Sequence, residues 1–253
     1  MRIFITGASS GLGAALAAHY AAQGAIIGLV GRDEARLAAV QSTLAATTER
    51  YVLDVADSVA MQAAAAHFIA RHGVPEIVIG NAGISVGVDT ADADDLAVLD
   101  RSLRTNVTGL ATTFQPFIDP MRRRGSGVLV GIASVAGIRG LPGSAAYSGS
   151  KAAAIAWLES VRVELQQSGI RVLTICPGFV DTPMTRVNRY AMPFLLSADE
   201  AARRIATAIE ARKRFAIVPW QMAIVGRLLR LLPCRLYDLA MKRAPHKPRK
   251  LPT

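Results

Sequence analysis

The sequence has few of the residues that cross-link a chain or bind metals. Among 253 residues it has two cysteines, Cys176 and Cys234, and four histidines. Cys176 lies in an apolar, strand-like run, so we expect a buried free thiol, no disulfide and a reducing compartment. The histidines and cysteines form no cluster with the spacing of metal ligands, and we therefore expect no metal site.

Long apolar runs and targeting segments are also missing. No stretch of about twenty uncharged apolar residues occurs, which argues against a membrane-spanning helix. No charged-then-apolar signal segment precedes the first strand candidate, so we expect a cytoplasmic protein. A hydrophobic content of 51% still provides for a sizeable core, and the length suits one large α/β domain or two small ones.

Negative charge is scarce at the carboxyl end. Residues 1–211 carry 18 Lys/Arg against 18 Asp/Glu, whereas residues 212–253 carry 11 Lys/Arg against Asp238 alone. The whole surplus of +10 therefore lies in the last 42 residues. This distribution indicates a neutral body with a basic tail rather than a uniformly basic protein.

Apolar runs alternate with helical patterns along most of the chain. We predict strands near 2–6, 25–30, 50–54, 76–80, 127–133, 170–176 and 214–218, and helices over 11–23, 33–45, 57–71, 94–122, 147–167 and 197–211. The strand candidates are continuous in hydrophobicity, which is typical of a parallel sheet covered on both faces. We predict a Rossmann-like α/β domain over 1–219 with a doubly wound, seven-stranded parallel sheet, followed by a helical basic extension over 220–253.

A glycine-rich turn follows the first predicted strand. Gly7 would let the chain turn sharply, while Gly11 and Gly13 would let the backbone approach a phosphate and the next helix pack on the sheet. Backbone N–H groups at a helix N-terminus bind phosphate oxygens well. The turn therefore predicts a dinucleotide site.

A tyrosine and a lysine one helical turn apart form a second motif. Tyr147 and Lys151 share one face of the predicted helix. A free tyrosine has a pKa of about 10, and we expect the nearby ammonium to lower it, so that Tyr147 exchanges protons as a general acid and base. Ser134, at the end of the fifth strand, can donate a hydrogen bond to a substrate oxygen as charge develops.

These motifs, in this order and spacing, resemble those of the short-chain dehydrogenase/reductase family over roughly residues 1–220. The resemblance implies a catalytic set of Asn106, Ser134, Tyr147 and Lys151. It implies a cofactor site formed by Gly7, Ser9, Ser10, Gly11, Leu12, Gly13, Arg32, Asp54, Val55, Asn81, Ala82, Gly83, Tyr147, Lys151, Pro177, Gly178, Val180 and Thr182.

The resemblance also implies roles and partners. Asp54 and Val55 would contact the adenine, and Lys151 would bind the nicotinamide ribose. Asn106 would anchor a water chain that resupplies the proton. The family's reaction is reversible reduction of a ketone or aldehyde to an alcohol, and its members often form homodimers or homotetramers.

The end of the second strand bears on the choice of cofactor. An NAD-selective site usually has a carboxylate there, whereas this chain has Gly31 followed by Arg32. Arg32 could pair with a 2′-phosphate, with Ser9 or Ser10 as hydroxyl donors, so we expect NADP(H). If Asp33 were the ribose ligand instead, NAD(H) would be preferred.

The substrate side is defined less sharply. The loop after Pro177 and Gly178 is rich in apolar residues, which favours a lipophilic carbonyl or alcohol. These residues are Met184, Val187, Tyr190, Met192, Phe194, Leu195 and Leu196. Arg139, Arg186 and Arg189 are the cations that could serve a charged substrate instead.

The C-terminal extension combines aromatic, aliphatic and basic residues. Two short helices are expected, over 220–232 and 235–243, and disorder is expected over 244–253. The helices could pack on the domain or a sister subunit, or lie on a membrane surface. Nucleic-acid binding is the weakest reading, because no nucleic-acid module accompanies the charge. A protein that binds NADP(H) as a sensor or anchor, without turnover, is the alternative to an enzyme.

Overall fold

The computed structural model describes residues 1–249 of the chain. Its strands are β1 (Arg2–Thr6), β2 (Ile26–Gly31), β3 (Thr48–Val52), β4 (Ile77–Gly80), β5 (Gly127–Ile132), β6 (Ile170–Pro177), β7 (Val180–Asp181), β8 (Leu196–Ser197) and β9 (Phe215–Val218). Seven of them form a parallel sheet in the order β3-β2-β1-β4-β5-β6-β9, and β7 pairs with β8. The predicted doubly wound, seven-stranded sheet is confirmed.

Helices connect the strands and continue after the last one. They are α1 (Gly11–Ala21), α2 (Glu34–Ser42), α3 (Ser58–His72), α4 (Leu96–Leu103), α5 (Gly109–Arg124), α6 (Ala145–Glu164), α7 (Ala198–Glu210), α8 (Trp220–Leu231) and α9 (Cys234–Met241). The single helix predicted over 94–122 is wrong in one respect: a π-helical turn at Arg104–Thr108 separates α4 from α5. In residues 1–249 no helix is both long and apolar enough to cross a membrane.

Apolar residues on the two faces of the sheet form two separate cores. Ile3 and Ile5 of β1 pack with α1, α2 and α7, whereas Phe4 between them packs with α3, α5 and α6. All three side chains are fully buried. Successive residues of a strand point to opposite faces, so burial on both faces explains why the strand is apolar throughout.

The strand order reverses between β1 and β4. The chain runs outward from β1 through β2 to β3, then returns so that β4 pairs with the other edge of β1. The turns that leave β1 and β4 therefore diverge and open a crevice at the carboxyl ends of the strands. This crevice lies beside Gly7, which directly follows β1, and Asn81, which directly follows β4.

The extension lies against the body of the protein. Arg139 donates to the backbone oxygens of Leu229 and Leu232 at the end of α8, and its guanidinium lies 4.2 Å from the ring centroid of Tyr237 in α9. The disorder predicted from residue 244 is not found for 244–249, which contact the loops around the crevice. The remainder of that prediction, 250–253, lies outside the described residues.

Candidate active site

A cleft of about 850 Å³ opens at the carboxyl edge of the sheet. It is lined by Gly7, Ser9, Ser10, Gly11, Leu12, Arg32, Asp54, Val55, Asn81, Ala82, Gly83, Ser134, Tyr147, Lys151, Pro177, Gly178, Val180 and Thr182, all of which the sequence assigns to the site. Gly13 and Asn106 do not line it. The cleft also includes residues that the sequence analysis did not assign, notably Arg36, Ile84 and Thr105.

The glycine turn forms one wall of the cleft and is held to the neighbouring strand. Gly7 and Gly11 both have positive φ, +67° and +53°, which favours glycine. The Asn81 side chain donates to the backbone oxygen of Thr6 at 3.0 Å. A Cβ on Gly13 would overlap the carbonyl oxygen of Gly7, so Gly13 serves close packing rather than ligand contact.

The start of α1 fits an anionic phosphate group. The N-cap, Ser10, makes no side-chain bond to the helix, so the first backbone N–H groups are not capped by a side chain. Ser9, Ser10 and Gly11 line the cleft here. Uncapped N–H groups, the helix dipole and two hydroxyls together match the donor set that a pyrophosphate needs. The residues present therefore fit a dinucleotide.

The far end of the cleft is rich in arginine. Arg32 follows the last residue of β2 and lies 3.6 Å from a carboxylate oxygen of Asp54. Asp33 is the N-cap of α2, and its carboxylate accepts from the backbone N–H of Arg36 at 2.9 Å. Arg36, one helical turn after Arg32, also lines the cleft and was missed. Arg36 lies four residues after Arg32, at the start of α2, and this spacing could have identified it from the sequence.

Tyr147 lies in the first turns of α6 and lines the cleft. Burial raises the pKa of its phenol above the ordinary value, and the hydroxyl of Ser134 acts in the opposite direction. The expectation that Lys151 lowers this pKa is wrong for the protein without a bound cofactor, because the cost of burying a phenolate dominates. Tyr147 is therefore a neutral phenol that can donate a proton.

Lys151 is directed to the backbone rather than to the tyrosine. Its Nζ donates to the carbonyl oxygen of Ile132 at 2.7 Å and lies 6.0 Å from the ring centroid of Tyr147. Burial lowers its pKa to about 8. A side chain that is 5% exposed and near its neutral point can gain or lose a proton at mildly alkaline pH.

The hydroxyl oxygen of Ser134 accepts a hydrogen bond, while its hydrogen can still be donated. The residue caps a short 3₁₀ turn, where its Oγ accepts from the backbone N–H of Ala136 at 3.1 Å. A hydroxyl that accepts one bond still has its own hydrogen to donate. The side chain is therefore fixed in place with a donor available to the cleft.

Asn106 lies in the π-helical turn between α4 and α5. Its Oδ1 accepts from the backbone N–H of Ile84 at 2.8 Å, and its Nδ2 donates to the oxygen of Ile84 and to Ser150 Oγ. A Cβ on Gly83 would lie 3.1 Å from Asn106 Oδ1 and 3.5 Å from Lys151 Nζ. Asn106 thus braces the loop after β4, and Gly83 separates it from Lys151.

The loop after β7 closes the other side of the cleft. Its backbone is ordered by Thr185, whose hydroxyl accepts from the N–H of Thr182 at 3.0 Å. Several of the apolar residues predicted to cover a substrate are exposed, including Phe194 at 48% and Leu195 at 45%. Met184 reaches the cleft.

Two of the arginines considered for a charged substrate have other partners. Arg139 serves α8 and α9 as described above, and Arg186 pairs with Asp181 at 2.7 Å. Both are thereby removed from the cleft. Among residues 1–249, no group of three or more histidine, cysteine or acidic side chains could hold a metal ion.

Comparison with known proteins agrees with this geometry. A family model described as short chain dehydrogenase matches residues 1–192. An oxidoreductase of Myxococcus xanthus is 37% identical over 242 residues, covering 94% of this chain and 95% of the relative. An oxidoreductase of Mycobacterium tuberculosis is 36% identical over 247 residues, covering 93% of this chain and 95% of the relative.

Among solved structures, levodione reductase superposes with a TM-score of 0.80 at 26% identity. The similarity covers 88% of this chain and 97% of that one. Sequence, sheet order and site geometry lead to one conclusion. The chain belongs to the short-chain dehydrogenase family and is an oxidoreductase that acts on CH–OH or C=O groups with NAD(P).

Proposed function

We propose that the protein is an NADP(H)-dependent reductase of ketones or aldehydes in which Tyr147 is the general acid. The observation that carries this proposal is the placement of Tyr147, Lys151 and the Ser134 hydroxyl together in the wall of the cleft, where burial favours the neutral phenol of Tyr147. A bound reduced nicotinamide supplies the hydride that adds to the carbonyl carbon. The protein's residues act on the carbonyl oxygen.

The oxygen gains negative charge as the carbonyl is reduced. Ser134 donates a hydrogen bond to that oxygen, and Tyr147 transfers its phenolic proton to it, which yields the alcohol and a tyrosinate. Lys151 stabilises the tyrosinate more strongly than it does the neutral phenol, because the two groups then carry opposite charge. Alcohol oxidation is the reverse of these steps.

The tyrosinate must regain a proton before the next turnover. Lys151 has a pKa of about 8, and its Nζ and Asn106 Oδ1 lie 3.5 and 3.1 Å from the position that a Cβ on Gly83 would take. Asn106 holds the backbone of Ile84, and through it the mouth of the loop after β4. We assign Lys151 to proton supply and Asn106 to positioning of the path.

The preference for NADP(H) rests on the arginines at the end of β2. Arg32 and Arg36 line the cleft, and β2 ends at Gly31, where an NAD-selective site usually has a carboxylate. The carboxylate of Asp33 is occupied as the cap of α2. Two guanidinium groups fit a 2′-phosphate, whereas the ribose hydroxyls of NAD would lack their usual carboxylate.

Apolar side chains in the loop after β7 favour a substrate with a lipophilic part. Met184 lines the cleft, and Val187, Tyr190 and Met192 are half-buried around it. A substrate that covers Phe194 and Leu195 would remove exposed apolar surface from water. The carbonyl group would lie at the polar end, beside Tyr147.

Exposed apolar residues on two helical surfaces support self-association and membrane contact. Leu96, Leu99 and Leu103 of α4 follow helical spacing and are 67%, 38% and 38% exposed, which suits a homodimer or homotetramer interface. The exposed apolar side chains of α8 and α9 lie among arginines, which suits an anionic membrane surface bordering the cytoplasm.

Turnover with a matched tyrosine variant tests the proposal. The wild type should oxidise NADPH with a panel of ketones and aldehydes, and Tyr147→Phe should lose about 10² to 10⁴-fold in kcat. NADPH affinity of the variant, measured by fluorescence, should change little. A wild type that binds NADPH but reduces no carbonyl would contradict the proposal and favour a cofactor-binding sensor.

A further inference from the structure

Residues 244–249 run across the substrate side of the active site. The backbone oxygen of Pro248 accepts from the N–H of Gly87 in the loop after β4, at 3.0 Å. Arg249 forms ion pairs with Asp92 and with Asp95, the latter at 2.9 Å. These contacts hold the segment on the same loop that Asn106 braces.

The segment passes over two glycines, Gly87 and Gly143, which have no side chains to obstruct it. A Cβ on Gly87 would overlap the carbonyl group of Lys247, and a Cβ on Gly143 would lie 2.7 Å from the Cβ of His246. Gly143 precedes α6, the helix that carries Tyr147 and Lys151. The segment therefore lies in a groove between the loop after β4 and the start of α6.

Lys247 points from this segment towards the catalytic tyrosine. Its side chain is 7% exposed, and its Nζ lies 5.9 Å from the ring centroid of Tyr147. The Nζ of Lys151 lies 6.0 Å from the same centroid. Two ammonium groups thus flank the tyrosine, and the mechanism uses only Lys151.

The ammonium of Lys247 has uncharged partners. It donates to Ser85 Oγ at 2.8 Å and, weakly, to the carbonyl oxygen of Met184 at 3.4 Å. Burial alone accounts for its lowered pKa of about 8, since no carboxylate of the described residues contributes. A buried cation without a counter-ion is unfavourable unless a ligand supplies the charge.

We propose that Lys247 binds a carboxylate of the substrate, so that the natural substrate is an oxo acid with an apolar chain. This inference rests on the proposed carbonyl reduction and names its substrate class. Lys247, Ser85 and the segment that carries them act as the specificity determinant. A single ammonium with one hydroxyl beside it matches the charge and the two oxygens of one carboxylate.

The apolar loop and the cation are compatible because they meet different parts of the substrate. Met184 lines the cleft with its side chain and faces Lys247 with its backbone oxygen. An oxo acid would place its carboxylate at Lys247, its carbonyl at Tyr147 and its chain towards the loop after β7. Arginine is the other common carboxylate ligand, but Arg139 and Arg186 already have partners outside the cleft.

Paired substrates test the inference. We would measure NADPH oxidation with 2-, 3- and 4-oxohexanoate and their methyl esters, for the wild type, Lys247→Met and Lys247→Arg. At least one acid should have a kcat/KM about tenfold or more above its ester. Lys247→Met should remove that preference by lowering the value for the acid, whereas Lys247→Arg should keep most of it. Lys242→Met, at an exposed lysine of the same tail, should change neither.

The ester doubles as a folding control, since a misfolded variant would lose both reactions. Equal loss for acid and ester in Lys247→Met would overturn the inference and leave a structural role for this lysine. A higher kcat/KM for both acid and ester in Lys247→Met would also overturn the inference, because it would mean that the segment obstructs the site. Reduction of esters without preference for acids would leave carbonyl reduction intact and refute the carboxylate site.

A binding measurement separates this inference from the proposed function. Calorimetry would compare hexanoate with hexanamide on the protein saturated with NADP⁺. Tighter binding of hexanoate by about tenfold, lost in Lys247→Met, supports the carboxylate site even if no oxohexanoate is reduced. Equal binding of the two probes, or binding unaffected by Lys247→Met, overturns it.

Discussion

At the scale of single residues, burial shifts the pKa values of three groups in and beside the cleft. Tyr147, Lys151 and Lys247 lie within a short distance of one another, and burial shifts all three towards their neutral forms. A neutral tyrosine is the form that reduction requires. Arg32 and Arg36 at the opposite end carry planar guanidinium groups, whose geometry suits the recognition of a phosphate.

Replacement of Arg36 by alanine should weaken NADPH binding by about tenfold or more, since a charged hydrogen bond to phosphate contributes roughly 1.5–3 kcal/mol. NADH affinity should hardly change, because NADH lacks the 2′-phosphate. Calorimetry with both cofactors, on the wild type, Arg32→Ala and Arg36→Ala, measures this. Arg50→Ala, in β3, is the matched control. A wild type that prefers NADH would refute the arginine assignment and implicate Asp33.

At the scale of elements, α8 and α9 expose several large apolar side chains. Trp220, Ile224, Leu228 and Leu231 follow one another along α8 at spacings of four and three, and they are 49–79% exposed. In α9, Leu236 is 54% exposed and Leu239 is 72% exposed. Hydrogen bonds made by Arg139 and Arg230 fix α8 to the body. In α9, the hydroxyl of Tyr237 donates to the carbonyl oxygen of Gly140. The two helices therefore present one rigid surface.

Substitution of Leu228, Leu231 and Leu239 by serine should reduce co-sedimentation with anionic liposomes by about tenfold or more, because each leucine contributes roughly 1 kcal/mol or more of burial. Binding by the wild type should fall as salt is raised, since the arginines act through screened charge. Val59→Ser, at a residue 76% exposed on α3, is the control for general loss of surface apolarity. Equal sedimentation of triple variant and wild type would exclude this surface as the contact.

At the scale of the whole molecule, the active site lowers stability near neutral pH. Lys151 and Lys247 are buried with pKa values of about 8, against 10.5 for a free lysine. Below pH 8 both lysines are protonated in the folded and in the unfolded protein. The two buried charges then destabilise the folded state. Between pH 8 and 10.5 the unfolded state binds more protons, so the free energy of unfolding rises with pH.

The free energy of unfolding should therefore increase from pH 7.5 to 9.5 by on the order of 1–3 kcal/mol more in the wild type than in Lys151→Met. Urea titrations at several pH values provide the measurement. The upper limit stays below pH 10, because Tyr20 and Tyr51 have raised pKa values and act in the opposite direction above it. Lys242→Met should follow the wild type. Parallel pH profiles for wild type and Lys151→Met would contradict this account.

Local sequence patterns were sufficient to predict much of the protein. Continuous apolar strands, the turn at Gly7 and the pair Tyr147 and Lys151 predicted the sheet and many of the residues that line the cleft, but not Arg36, Ile84 or Thr105. These features depend on spacing along one strand or helix, which the sequence displays directly. The N-cap at Ser197, which accepts from the backbone N–H of Glu200, belongs to the same class.

Tertiary structure alone decided the features that depend on distant neighbours. The raised pKa of Tyr147 comes from the protein packed around it, and the π-helical turn at Asn106 from its bonds to Ile84 and Ser150. A basic, proline-rich tail predicts disorder by composition, yet residues 244–249 bind a groove that Gly87 and Gly143 leave open. Lys247, the cation beside Tyr147, is 100 positions away from it in the chain, and burial and contact at such separations are set by the fold rather than by any local pattern.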